Sequence, residues 1–300
     1  LNNLKYYLAA ISAFSIWGTF SLVLKPLHSY ASLDILFYRV FSCAVIMSII
    51  SVLFKREKLK NNINYFKSLP KTKKWNFIGL NIGSSVLLTA NWFSFIYVMN
   101  HINVRATSVA YLVCPIITTI LAYFFLRDKL TKLQWLSVFL SCIGCILLSY
   151  TNIVDMFYSS LIGFTYACYL VSQNKNYEFD KFLILNGHIL LSAIILIPFF
   201  PAFSGPVPSD FKFYFYVEII AVLYTIVPLF LNLYALTGIS SSKVGMILNI
   251  NPIIAFVLAG VVYHEPLGTL PIFSYALIFL AVIVFNGNQI FKSNKERKVT

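Results

Sequence analysis

Apolar runs long enough to cross a bilayer follow one another along nearly the whole chain, and this constrains it more than any single residue. A helix needs about 20 mostly apolar residues to span the hydrocarbon core. By that measure the sequence predicts ten spans, at about 6–24, 34–54, 76–98, 105–126, 134–152, 158–174, 182–200, 214–236, 243–263 and 270–290. Apolar residues make up 59% of the 300 residues and charged residues 11%, against roughly 25% charged in a soluble domain. A soluble globule of this size cannot cover so much apolar surface with polar groups. The expected fold is therefore an all-α integral membrane protein with a lipid bilayer as its solvent. The run 55–75 is a polar, basic loop with room for a short surface helix. The run Pro198–Pro208, with four prolines and Gly205, separates spans seven and eight. The chain begins at Leu1 without a visible signal peptide, which suggests a trimmed N-terminus.

The net charge of +13 is not spread as nucleic-acid binding would require. With ten spans, 19 of the 23 Lys and Arg residues fall on the side of the N-terminus. Only Lys25, Arg105 and Lys212 fall on the other side, and Arg39 lies inside span two. The positive-inside rule then places both termini in the cytoplasm, with residues 291–300 as a basic tail. The five cysteines all sit in apolar stretches. Cys142 and Cys145 form a C-x-x-C without a second pair or a nearby His, and read as small packing residues.

The two halves of the chain repeat each other. At a shift of 137, Tyr97 falls on Tyr234, Ile102 on Ile239, Pro115 on Pro252 and Asp128 on Glu265. At a shift of 150, Phe14–Lys25 falls on Phe164–Lys175, the long 55–75 loop accounting for the change. Each repeat, 1–152 and 153–300, thus holds five spans. Five is odd, so the second repeat must enter the membrane inverted. Arg127–Lys132 is basic, while its counterpart His264–Thr269 has lost every Lys and Arg. Inverted repeats are the plan of secondary transporters.

The residues also resemble a family. Trp17-Gly18, Tyr38-Arg39-Val40, Asn91-Trp92, Ala106–Tyr111 with Cys114-Pro115, Gln134-Trp135, Val244-Gly245, Asn251-Pro252 and His264-Glu265 occur in an order and spacing similar to the drug/metabolite transporter superfamily, EamA type, close to the RarD branch. The resemblance implies a ten-helix bundle with a central cavity, alternating access, and small organic solutes such as amino acids, metabolites or drugs. It further implies that spans one to four and six to nine build the cavity while five and ten are peripheral. The expected location is the cytoplasmic (inner) membrane, as a monomer or homodimer. No Walker loop, catalytic triad order or clustered metal ligands occur, so no cofactor and no enzyme activity is expected. The rivals are a membrane-embedded or lipid-modifying enzyme and a non-transporting scaffold.

Three ionisable residues lie within spans, where each costs about 2.5–3.5 kcal/mol at mid-helix on insertion scales. Arg39 and Glu218 sit at similar depth, where they could pair. Arg39 could instead clamp a carboxylate. Glu218 and His188 are candidate coupling sites. Polar residues share helical faces: Asn81, Ser84 and Asn91 in span three; Ser108, Tyr111 and Thr118 in span four; Asn249 with Gly245, beside Asn251, in span nine. Asn91, Asn249 and Asn251 are therefore solute-binding candidates. Pro115 and Pro252 each free the carbonyl four residues earlier and read as matched hinges. Trp17, Trp92, Tyr97, Tyr111, Tyr166, Tyr224 and Tyr234 could line the cavity. Gly79-x-x-x-Gly83 reads as a helix-packing notch.

Overall fold

The computed structural model describes residues 3–27, 29–101, 104–149, 153–176, 178–262, 264 and 269–296. Ile102, Glu265 and the tail beyond 296 lie outside these residues, as do the side chains of Arg105 and Ser108. The described residues are helical throughout, with turns between helices and no strand. The helices are α1 (Leu4–Gly18), α2 (Phe20–Leu24), α3 (Ser32–Leu53), α4 (Arg56–Ser68), α5 (Lys71–His101), α6 (Val104–Phe125), α7 (Lys132–Ser149), α8 (Ile153–Gln173), α9 (Lys181–Leu196), α10 (Phe200–Phe203), α11 (Phe211–Ala221), α12 (Val227–Ala235), α13 (Ser241–Ile247), α14 (Ile250–Val261) and α15 (Thr269–Glu296).

Among the described residues, six helical segments are long and apolar enough to cross a membrane. They are Leu4–Leu27, Leu33–Leu53, Lys181–Phe203, Phe211–Ala235, Ser241–Leu258 and Thr269–Asn286. Two of the other expected spans fall on the shorter apolar helices Val109–Phe125 and Lys132–Leu148. The last two fall on α5 and α8, whose apolar character is diluted by residues such as Asn81, Ser84, Ser85, Thr89, Asn91, Thr165 and Ser172. Those groups are consumed between helices: Thr89 Oγ1 donates to Ser192 Oγ at 2.9 Å and Ser84 Oγ meets Ser172 Oγ at 2.8 Å.

Local chemistry sets the helix ends. Asp180 caps α9 by accepting from the amides of Phe182 (3.0 Å) and Leu183 (3.2 Å). Thr131 and Gln134 form a reciprocal capping box at the start of α7. The expected surface helix is α4, which has no buried residue. Its Lys58 pairs with Asp180 at 3.3 Å, its Tyr65 hydroxyl donates to Glu178, and Tyr65 and Phe77 stack on Phe179. The long loop of the first half is thereby strapped to the α8–α9 turn of the second.

Close helix approach depends on glycines, though not on the expected pair. A Cβ at Gly79 or Gly83 would meet no atom within 4 Å, so this motif packs against no described helix of this chain. The tight contacts are elsewhere. A Cβ at Gly163 would lie 3.0 Å from the Ala110 carbonyl oxygen, and one at Gly144 would lie 2.6 Å from Ile278 Cγ1. Gly163 lets α8 settle on the backbone of α6, while Gly144 does the same for α7 on the side chains of α15.

Three helices are irregular. The first breaks at Thr19, between α1 and α2. A π turn, Val222–Ile226, joins α11 to α12. Pro228 lacks an N–H and so frees the Tyr224 carbonyl four residues earlier. The third break, at Leu248-Asn249, separates α13 from α14. There Pro252 frees the Leu248 carbonyl, which accepts the Asn251 amide at 3.0 Å instead. Pro115 behaves differently from its counterpart. Helix α6 runs through it without interruption, with α8 packed closely at Gly163 against the turn Ala110–Cys114 just before it. The expected pair of hinges is thus one break and one continuous helix. One repeat feature is matched in backbone conformation. Among the described residues the non-glycine residues with positive φ are Arg127 (58°) and His264 (53°), which are 137 positions apart.

Candidate functional site

A cavity of about 570 Å³ opens among the three irregular helices, within the roughly 300–1,000 Å³ range of small-molecule sites. Irregular backbone at membrane depth is tolerated where it lines such a space. Trp17, Gly18, Phe20, Ser21 and Leu24 come from α1 and α2, Arg39 from α3, Asn91, Trp92 and Phe95 from α5, and Val109 and Tyr111 from α6. The second half contributes Tyr166 from α8, Tyr224, Thr225 and Leu229 from around the π turn, and Asn251, Pro252, Ala255 and Phe256 from α14. Leu148 of α7 and Pro271 and Tyr275 of α15 complete the wall.

Seven of the residues singled out in the sequence thus meet at one cavity: Trp17, Arg39, Asn91, Trp92, Tyr111, Asn251 and Pro252. Tyr166 and Tyr224, named among the aromatics, join them. The other candidates lie elsewhere. Tyr97 is 44% exposed and stacks on Phe93 along the outside of α5. Tyr234 stacks on Tyr6 at 5.2 Å, and Pro115 is not in the lining. Asn249 is fully buried, with both amide atoms unpartnered, but outside the cavity wall. His188 is sealed between α5, α8 and α9, where its Nε2 lies 2.9 Å from Asn81 Oδ1. A carboxamide oxygen only accepts, so His188 carries its proton on Nε2. Helix α9 therefore adds nothing to the lining, whereas α7 and α15, expected to be peripheral, do.

Arg39 and Glu218 do not pair. Glu218 accepts from Ser42 Oγ at 2.5 Å on the exposed flank of α11. The Arg39 guanidinium instead lies over the Trp92 ring, 5.3 Å from its centroid, a cation–π contact. Among the described residues no carboxylate lies within 4 Å of it, and its Nε is buried without a hydrogen-bond partner. The aromatic wall is cross-braced: Trp17 meets Tyr166 edge-on at 6.1 Å, and Phe95 meets Tyr111 at 5.6 Å. Trp17 Nε1 donates at 2.7 Å to the carbonyl of Tyr224, the group that Pro228 frees. Pro228 is the residue that sequence reasoning missed here, although a proline within an apolar run is a readable signal for a freed carbonyl.

Asn91, besides lining the cavity, has a structural task. Its Nδ2 donates to the Ile162 carbonyl at 2.9 Å and to Thr165 Oγ1 at 3.3 Å, tying α5 to α8. Asn91→Ala is therefore expected to lower stability by about 0.5–1.5 kcal/mol, since it removes a buried bond between helices while the Ile162 carbonyl keeps the Thr165 hydroxyl. A melt of the purified, ligand-free variant checks this. An unchanged melting temperature would return Asn91 to the role of solute ligand alone.

Comparison with known proteins places this architecture. The profile of the EamA-like transporter family matches residues 4–150 and, a second time, residues 155–287. The chain belongs to the EamA-like transporter family. Protein RarD of Escherichia coli is 27% identical to this EamA-family chain, over 97% of each. The uncharacterized transporter YojE of Bacillus subtilis is 25% identical, over 93% of this chain and 92% of its own. One solved crystal structure has the same fold, with a TM-score of 0.72 at 14% identity, over 94% of this chain and 96% of that one. The protein is a multi-pass membrane protein of this family.

Proposed function

We propose that this EamA-family chain is a secondary transporter that moves small organic solutes across a bacterial cytoplasmic membrane by alternating access. The observation that carries this reading is a cavity walled by residues of both halves. The family profile matching twice, and the left-handed residues Arg127 and His264 at matched positions, support two repeats of five spans each. An odd number of spans per repeat inverts the second against the first, giving ten spans with both termini cytoplasmic.

Sidedness follows from the same frame. The lining residues come from the ends of α3, α5 and α6 remote from Lys55, Lys71 and Arg127. The basic ends are packed shut: Tyr6 stacks on Tyr234, and Ser242 Oγ donates to Asp128 Oδ2 at 2.6 Å. Under the positive-inside rule this is a state closed to the cytoplasm, with its cavity in the outer half. The test is counterflow in liposomes holding the purified protein, using any solute that raises its melting temperature. Saturable, protein-dependent exchange of that solute is expected. A solute that stabilises the protein yet never crosses would contradict transport.

A further inference from the structure

We infer that the solute is an organic carboxylate with an aromatic body, its carboxylate bound by Arg39 and its ring by the surrounding aromatic wall. This rests on reading the cavity as the transport site and goes further, to the chemistry of what it carries. Among the described residues of the wall, Arg39 is the sole charged side chain, and no acid faces it. Two of the lining residues hold buried polar atoms without a partner, Arg39 Nε and Ser21 Oγ. Buried polar groups are almost always satisfied, so an unpartnered one requires a reason. A carboxylate at the guanidinium would satisfy Arg39, since its N–H groups are donors and a carboxylate accepts from several donors at once.

The structural alternatives for Arg39 are used up. Glu218, the carboxylate expected to pair with it, instead accepts from Ser42 on the flank of α11. The guanidinium does not leave for the interface either, because it stays over Trp92 on the cavity wall. The rest of the wall argues for a ring rather than a bare anion. Nine of the lining residues are aromatic, and Tyr166 meets both Trp17 and Tyr111 edge-on. Such walls suit a planar apolar body. An amino group on the solute would find no carboxylate there, so the preferred solute carries the negative charge alone.

One carbon skeleton separates the possibilities. trans-Cinnamate, cinnamamide and cinnamylamine present the same ring with negative, neutral and positive ends at pH 7. Binding to the purified wild-type protein is read by isothermal titration calorimetry. Cinnamate is expected to bind on the order of tenfold to a hundredfold more tightly than cinnamamide, with cinnamylamine weakest. Acetate and phosphate, which lack the ring, are expected to bind at least about tenfold more weakly than cinnamate. Arg39→Gln should bring cinnamate down to the level of cinnamamide, while Arg39→Lys should keep part of the preference. Equal affinity across the three ends, a preference for the amine, ring-free anions matching cinnamate, or binding of none of the probes would each overturn the assignment. Cinnamate binding without counterflow would leave this ligand class standing and defeat transport. Counterflow of the amide or amine with no binding of cinnamate would do the reverse.

Discussion

Leucine in place of Gly163 is expected to cost this protein most of its folded, active population. A Cβ at this position already lies 3.0 Å from the Ala110 oxygen, 3.2 Å from the Cys114 nitrogen and 3.3 Å from Cys114 Cα. All three are backbone atoms of α6, which cannot rotate aside as a side chain can. Leucine adds three further carbons in the same gap. The helices must separate, and α6 carries Val109 and Tyr111 of the cavity wall. Overpacking of this kind costs about 1–3 kcal/mol where side chains can yield, and more where they cannot. The expected readout is a melting temperature lower by on the order of 5 °C or more, together with loss of solute binding. Gly79→Ala is the matched control, because a Cβ there meets nothing within 4 Å. Its melt should be unchanged or slightly raised, alanine being the better helix former by about 1 kcal/mol. A normal melt for Gly163→Leu would show that the contact between α6 and α8 is looser than its geometry implies.

Much of the fold is legible in the sequence because the bilayer imposes a simple rule. A span must be long, apolar and internally hydrogen-bonded, and that leaves a mark about 20 residues long. The surface helix α4 was readable too, since its lysines interrupt that mark. The cavity was partly readable for a related reason. Arg39 is a charged group that needs a place other than lipid, and Trp17, Trp92 and Tyr111 lie at similar depth with polar ring atoms that favour a partner. What escaped reading depends on which side of a helix faces which neighbour. Arg39 and Glu218 share a depth, yet Ser42 engages Glu218 on one flank while Arg39 turns to the cavity. Asn249 and Asn91 sit on similar polar faces, yet one is buried without a partner and the other ties α5 to α8. Pro115 and Pro252 are matched in sequence, but only the second coincides with a break, a difference of backbone path that the matched prolines do not encode. The π turn at Val222–Ile226 left a weaker signal, Pro228, whose consequence is visible only when Trp17 takes the freed carbonyl.

In the proposed transport cycle the two repeats open one cavity to each side of the membrane in turn. The contact between Asp128 and Ser242 tests that cycle most directly, since it joins one residue of each half at the basic end. The measurement is counterflow by a protein carrying Asp128→Cys and Ser242→Cys in a background whose five native cysteines, Cys43, Cys114, Cys142, Cys145 and Cys168, are replaced. A short, reducible thiol cross-linker bridges the new pair. If the cytoplasmic side must part for the solute to leave, cross-linking should bring counterflow down to the level of protein-free liposomes. Solute binding should survive, because the cavity lies in the other half of the bundle, and a reductant should restore transport. Full counterflow with the cross-link complete would contradict the account, since the solute would then cross without that end ever opening.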